Sequence, residues 1–166
     1  GLVSLAKRPS VGMAALQKVA KLFERGELGA ESIAYSLAPR LNAAGRLGQA
    51  QLAVELLTTQ DAARAEALAV YIDKLNSDRE TLERSVVLAA SKQAREQFDV
   101  ENDPALVLAG VGWHLGVLGI VAGRIAEKFH RPTVILSIDN IQRKPATGSA
   151  RSAGMVDLHA ALQACS

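Results

Sequence analysis

The chain is predicted to be an α/β protein, with an N-terminal helical connector containing one long helix, followed by a mixed α/β domain. Three observations predict it. Apolar residues recur at helical spacing up to about Phe98, and short β-branched runs alternate with helical ones from about Ala105. Residues 61–98 contain neither proline nor glycine. With 166 residues, 49% of them hydrophobic and 22% charged, the chain can bury a core, which excludes disordered and fibrous classes.

Element by element, Ser10 caps a helix from about Val11 to Arg25, with Met13, Leu16, Val19 and Phe23 on one face and Gly26 as its stop. A short helix over Ala30–Leu37 ends before Pro39, and another runs from Gln49 to Leu57 with Val54, Leu56 and Leu57 to bury. Thr58 or Thr59 caps the long helix, Asp61 to about Phe98, roughly 55 Å at about 1.5 Å per residue. Asn76-Ser77-Asp78 competes for backbone hydrogen bonds inside it without ending it. The acidic linker Asp99–Pro104 closes that half. Ala105–Val111 and Pro132–Ile138 read as buried strands around an amphipathic helix Gly116–His130, a parallel βαβ unit. Gln142–Ser152 reads as a polar hairpin or loop, and Val156–Cys165 as a last helix. The domain ranges are therefore 1–60 for the helical segment, 61–98 for the connector helix and 104–166 for the α/β domain.

Composition narrows the function classes. The longest apolar run, Leu115–Ala122, is too short to span a bilayer, and the first residues do not read as a signal peptide, so the expected compartment is the cytoplasm. One cysteine, Cys165, forms no internal disulfide or thiolate cluster. The formal net charge of +2 announces no nucleic-acid partner by itself. Its distribution says more: Arg40 and Arg46 are the only charged side chains from Ser32 to Val54, and six basic residues face two acids over residues 122–152. On charge alone both stretches read as solvated faces.

Gly110-Val111-Gly112-Trp113-His114-Leu115-Gly116 sits where a dinucleotide loop would sit, but Leu115 stands where the fingerprint needs its third glycine. Trp113 and His114 fall at a strand end, where side chains commonly face a cleft; His114 reads equally as a cleft residue or as a capped structural histidine. Gly148-Ser149-Ala150-Arg151-Ser152 offers two hydroxyls, a guanidinium and a glycine that lets backbone amides converge, a combination suited to a phosphate. Arg46, on a bend of small residues, is similar. Metal-dependent phosphodiester hydrolysis needs clustered carboxylates and histidines. The seven aspartates and three histidines are scattered, with no Asp-His-His, His-x-Asp or His-Glu-x-x-His element. The chain reads as a binding half without a catalytic half.

Three segments in register, Ala38-Pro39-Arg40-Leu41-Asn42-Ala43-Ala44-Gly45-Arg46-Leu47, the run from Gly112-Trp113-His114 to Gly123-Arg124, and Gly148-Ser149-Ala150-Arg151-Ser152, resemble the RecJ family of single-strand-specific DNA exonucleases, within the DHH phosphoesterase superfamily. The resemblance spans nearly the whole chain and departs from the family at Leu115, where proline is usual. It implies an internal fragment of a 5′ to 3′ exonuclease of DNA repair and recombination, whose Asp- and His-bearing metal domain would precede Gly1 and whose DHH-associated α/β domain would be cut short at its C-terminal end. It implies manganese or magnesium in the parent, no metal and no catalytic residue in this fragment, and no cleavage by the fragment alone. It implies two domains facing each other across a groove that single-stranded DNA follows. Arg46, Ser149 and Arg151 would hold the terminal 5′-phosphate; Arg40, Asn42, Trp113, His114, Arg124, Arg143, Lys144 and Ser152 would line the groove, with Lys128 and Arg131 adding backbone attraction. Single-stranded DNA is the implied partner, a helicase or a single-strand-binding protein are further candidates, and a membrane is not one. The alternatives are an oligoribonuclease or cyclic-dinucleotide phosphodiesterase of the same superfamily, and a non-catalytic nucleic-acid-binding module.

Overall fold

A computed structural model describes residues 1–22, 28–139 and 144–164. Two compact units divide the chain, Gly1–Glu80 and Thr81–Ser166, and one helix contributes to both.

In the first unit, α1 (Leu2–Lys7) precedes α2 (Val11–Val19), which Ser10 caps by accepting the Met13 amide at 3.4 Å. α2 is shorter than expected because Lys21 takes a φ of 54°, a left-handed conformation that interrupts helical hydrogen bonding. Phe23 and Gly26 lie outside the described residues. Helix α3 (Ala30–Ser32), a π-helical turn (Ile33–Leu37) and α4 (Ala38–Arg46) then follow without a break, which corrects the helix end expected before Pro39. In a regular helix a proline ring strikes the carbonyl four residues earlier; the wider π turn relieves that position and lets the helix run on.

Helix α4 stops in a Schellman turn. Gly48 adopts a φ of 76°, its amide bonds to the Gly45 carbonyl at 3.2 Å, and the Gln49 amide bonds to the Ala44 carbonyl at 2.7 Å. Arg46 therefore sits on the last turn of a helix and not on a tight bend. In α5 (Ala50–Thr58) only Leu56 is buried, while Val54 and Leu57 are exposed. A nine-residue helix turns one stripe to the core, and Leu52, Ala53 and Leu56 take it. Helices α2 and α5 meet at Gly12, where a Cβ would stand 1.6 Å from the Leu56 carbonyl oxygen.

Helix α6 spans Ala62–Gln97, about 54 Å at 1.5 Å per residue. Asp61 caps it in place of Thr58 or Thr59, its Oδ1 accepting the Ala63 and Arg64 amides at 2.9 and 3.2 Å. Its first part places Ala65, Leu68, Ala69, Ile72 and Leu75 in the core of the first unit; its last part places Val86, Ala90 and Ala94 in that of the second. Asn76 does not break the helix because its amide is occupied by other side chains: it donates to Glu80 Oε1 at 2.9 Å and accepts from Arg79 Nη2 at 3.0 Å.

The second unit carries a mixed sheet in the order β1-β2-β3. Strands β1 (Leu106–Val111) and β2 (Thr133–Ile138) are parallel, with Leu106 opposite Thr133, and are joined by α7 (Leu115–Phe129). The segment expected as a polar hairpin or loop contains a strand, β3 (Thr147–Arg151), antiparallel to β2. Its polar residues show no apolar alternation, so backbone pairing alone makes it a strand. A Cβ at Gly148 would lie 2.5 Å from both the Ile135 carbonyl oxygen and Leu136 Cδ2, so glycine permits the strand approach. Strand β1 is not buried on both faces as expected: Leu106 and Leu108 are buried, while Val107 and Val111 are exposed. Its outer edge is closed by a side chain of α6. Gln93 donates through Nε2 to the Ala109 carbonyl at 3.2 Å and accepts the Ala109 amide at 3.1 Å. Asp157 caps α8 (Leu158–Gln163).

Candidate phosphate-binding site

Ser149 and Arg151 lie two residues apart on β3 and so project from the same face of the sheet, toward α7. Arg151 Nη1 donates to Ser149 Oγ at 3.2 Å and to the Ala150 carbonyl at 2.7 Å. These bonds turn the guanidinium back along the strand and leave the serine hydroxyl proton available to a further acceptor. Beneath the pair runs the glycine face of α7. A Cβ on Gly119 would stand 3.1 Å from Arg151 Nη2 and 3.2 Å from Ser149 Oγ, and a Cβ on Gly123 would stand 3.9 Å from Arg151 Cγ. The arginine thus runs from over Gly123 to over Gly119, toward the positive end of the α7 dipole. A guanidinium and a hydroxyl side by side are a donor pair that can bond an anion of phosphate size. The expected nest of amides at Gly148 does not form, because extended pairing with β2 turns successive amides to opposite sides.

The turn between β1 and α7 holds the other sequence candidates of this unit. Gly112 takes a φ of 69°. His114 is an exposed cap: its Nδ1 accepts the Gly116 amide at 3.1 Å, which puts the proton of the neutral ring on Nε2. Trp113 packs against the core, its indole over Gly110, where a Cβ would lie 2.0 Å from Cε2; Ser137 Oγ donates to its carbonyl at 2.6 Å. The ring is thus half-buried.

The remaining candidates divide by what already holds them. Arg124, half exposed, meets the buried Glu83 carboxylate of α6 at 2.5 Å. Ser152 Oγ donates to the Val156 carbonyl at 2.6 Å. Lys144 is exposed, and Arg143 lies outside the described residues. Arg131 is committed to the linker, bonding the carbonyls of Asp103 at 2.8 Å and of Glu101; Lys128 donates to Ser91 Oγ at 3.1 Å and lies over the Phe129 ring. In the first unit, Arg40 is tied to Asp73 at 2.7 Å and to the Ser36 carbonyl at 2.6 Å, which makes it a brace between α4 and α6. Asn42 and Arg46 line an open hollow of about 390 Å³ with Leu41, Gly45, Ala50 and Ala53. Sequence reasoning missed Glu83 and Gln93, which sit unremarkably in a helical pattern. The spacing of Gly116, Gly119 and Gly123 along one helix face is visible in the sequence, but what lies over that face is not.

Among the described residues, no group of three or more His, Cys, Asp or Glu could hold a metal ion. No described helix is long and apolar enough to cross a membrane.

The DHHA1 domain family matches residues 102–166. The single-stranded-DNA-specific exonuclease RecJ of Bacillus subtilis is 38% identical over 165 residues, 99% of this chain and 20% of that protein. The chain belongs to the RecJ family. RecJ of Haemophilus influenzae is 36% identical over 153 residues, 89% of this chain and 25% of that protein. Among solved structures, RecJ in complex with Mg2+ from Thermus thermophilus matches with a TM-score of 0.80 at 34% identity, over 99% of this chain and 24% of that one. The exonuclease RecJ bound to manganese matches with a TM-score of 0.80 at 36% identity, over 98% of this chain and 38% of that one. The chain thus spans about a fifth to two fifths of the length of these RecJ relatives.

Proposed function

We propose that this segment is the connector and substrate-binding part of a RecJ-like exonuclease that degrades single-stranded DNA from its 5′ end in DNA repair and recombination. The observation that carries the reading is the Ser149–Arg151 pair, held by a 3.2 Å bond on the α7 face of β3. Ser149 and Arg151 bind the terminal phosphate, the serine as hydroxyl donor and the arginine as charge and fork. Fixing the strand end fixes which phosphodiester comes next to be cut, a positioning contribution to catalysis. Arg46 and Asn42, on their own hollow, are proposed as contacts to the DNA, and Lys144 as a salt-sensitive backbone contact. His114, through Nε2, is a donor at the mouth of α7. The donor set of the described residues does not fit manganese or magnesium, and metal-dependent hydrolysis is assigned to parts of the RecJ protein outside this segment. The proposed compartment is the cytoplasm, and a helicase or single-strand-binding protein a proposed partner.

The experiment compares 5′-phosphorylated and 5′-hydroxyl oligonucleotides in a full-length RecJ protein carrying this segment. Arg151→Ala removes a charge-assisted bond of about 1.5–3 kcal/mol and should lower kcat/KM for the phosphorylated end by roughly 10- to 100-fold, with less effect on the hydroxyl end. The 166-residue chain supplied with manganese should leave both oligonucleotides intact. Equal loss on both ends would overturn the anchor role, and digestion by the pure segment would overturn the division of labour.

A further inference from the structure

We propose that Gly119 is a positioning residue for the phosphate anchor: its missing side chain is the floor on which Arg151 Nη2 and Ser149 Oγ rest together. The inference rests on the phosphate reading of those two residues. A methyl group at position 119 would come within 3.1 Å of Nη2 and 3.2 Å of Oγ. Both distances are shorter than the ordinary contact of a methyl carbon with a polar atom, so both donors must move outward. Neither movement is expensive for folding, because the guanidinium is the far end of a flexible side chain and the serine can rotate about χ1. Alanine also favours a helix over glycine, so α7 itself gains. The consequence falls on binding, since two donors aimed at one phosphate lose their common aim when each shifts by a few tenths of an ångström.

Gly123 supplies an internal control. It lies one turn further along the same face of α7, under the stem of the same arginine, and a methyl group there meets only Arg151 Cγ, at 3.9 Å, an ordinary contact. Gly123→Ala has the same effect on helix propensity and leaves the donors in place. A requirement for glycine that arose only from packing would not single out position 119, the one that faces the donors.

In a full-length RecJ protein carrying this segment, the readout is kcat/KM on a 5′-phosphorylated oligonucleotide divided by that on its 5′-hydroxyl counterpart. Gly119→Ala should lower this ratio about five- to tenfold through KM for the phosphorylated strand, while activity on the hydroxyl strand persists and reports that the protein is folded. Gly123→Ala should stay within about twofold of the parent, and Gly119→Ala combined with Arg151→Ala should fall short of the product of the two single effects, because only the displacement of Ser149 is left for the methyl group to cause. If Arg151→Ala lowers the ratio and Gly119→Ala does not, or if Gly119→Ala abolishes activity on both strands, the positioning role is wrong and the anchor stands. If Arg151→Ala leaves the ratio unchanged, the anchor falls and the role of Gly119 with it.

Discussion

Replacing Gln93 by alanine tests how the open edge of β1 is closed. The Gln93 side-chain amide behaves as one residue of a missing strand, donating to the Ala109 carbonyl at 3.2 Å and accepting its amide at 3.1 Å. Each bond contributes a net of about 1 kcal/mol, so their loss costs about 2 kcal/mol. Alanine is the better helix former and returns a few tenths, leaving a net destabilisation of about 1.5 kcal/mol. For a protein of this size that lowers Tm by roughly 3–6 °C. Urea denaturation should show a lower midpoint at unchanged slope, because no extra surface is exposed in either state. Hydrogen exchange gives the residue-level readout: the Ala109 amide should lose protection while Leu108, inside the core, keeps its own. Lys92→Ala, one residue away and exposed, removes only a 3.8 Å surface pair and should change stability by less than about 0.5 kcal/mol. An unpaired β1 edge is also open to pairing between molecules, so the variant should associate more readily with rising concentration. Gln93→Ala with an unchanged midpoint and undiminished protection at Ala109 would refute the edge-closing role.

Two further predictions concern the rest of the second unit. Gly110→Ala places a methyl 2.0 Å from Trp113 Cε2 and 2.4 Å from Nε1, so the rigid indole must leave its seat on the core. The expected cost is about 2–3 kcal/mol, with a red shift of the emission of the single tryptophan; an unshifted spectrum at full stability would show that the ring has room. Asp99 accepts the Asn102 side-chain amide at 2.8 Å and the Glu101 backbone amide at 3.1 Å, and these bonds, the first above all, hold its carboxyl below the usual aspartate range. A depressed native value means that its stabilisation is complete at neutral pH and is lost as pH falls through that value. Thermal stability should therefore drop below about pH 4 and drop less in Asp99→Asn; parallel pH profiles for the two proteins would contradict the assignment.

The class of the fold, the long helix and the order of strand, helix and strand depend on local signals, and those are legible in the chain before it folds. A run free of proline and glycine makes α6, and a hydrophobic period that changes near residue 100 separates helices from the sheet. The three motif segments, and with them the family, were equally legible, since they are fixed strings of residues. What the local signals could not give was everything that depends on a neighbour distant in the chain. The polar stretch around Ser149 has no strand pattern, and pairing with β2 makes it one, which converts a supposed nest of amides into a face of alternating side chains. Arg40 and Arg131 look as available as Arg151 in the sequence; only folding decides that Asp73 and the linker carbonyls claim the first two, while Arg151 stays exposed beside a serine. The physical reason is that a side chain's chemistry is fixed by its type, whereas its availability is fixed by which donors and acceptors the tertiary structure brings within about 3 Å of it.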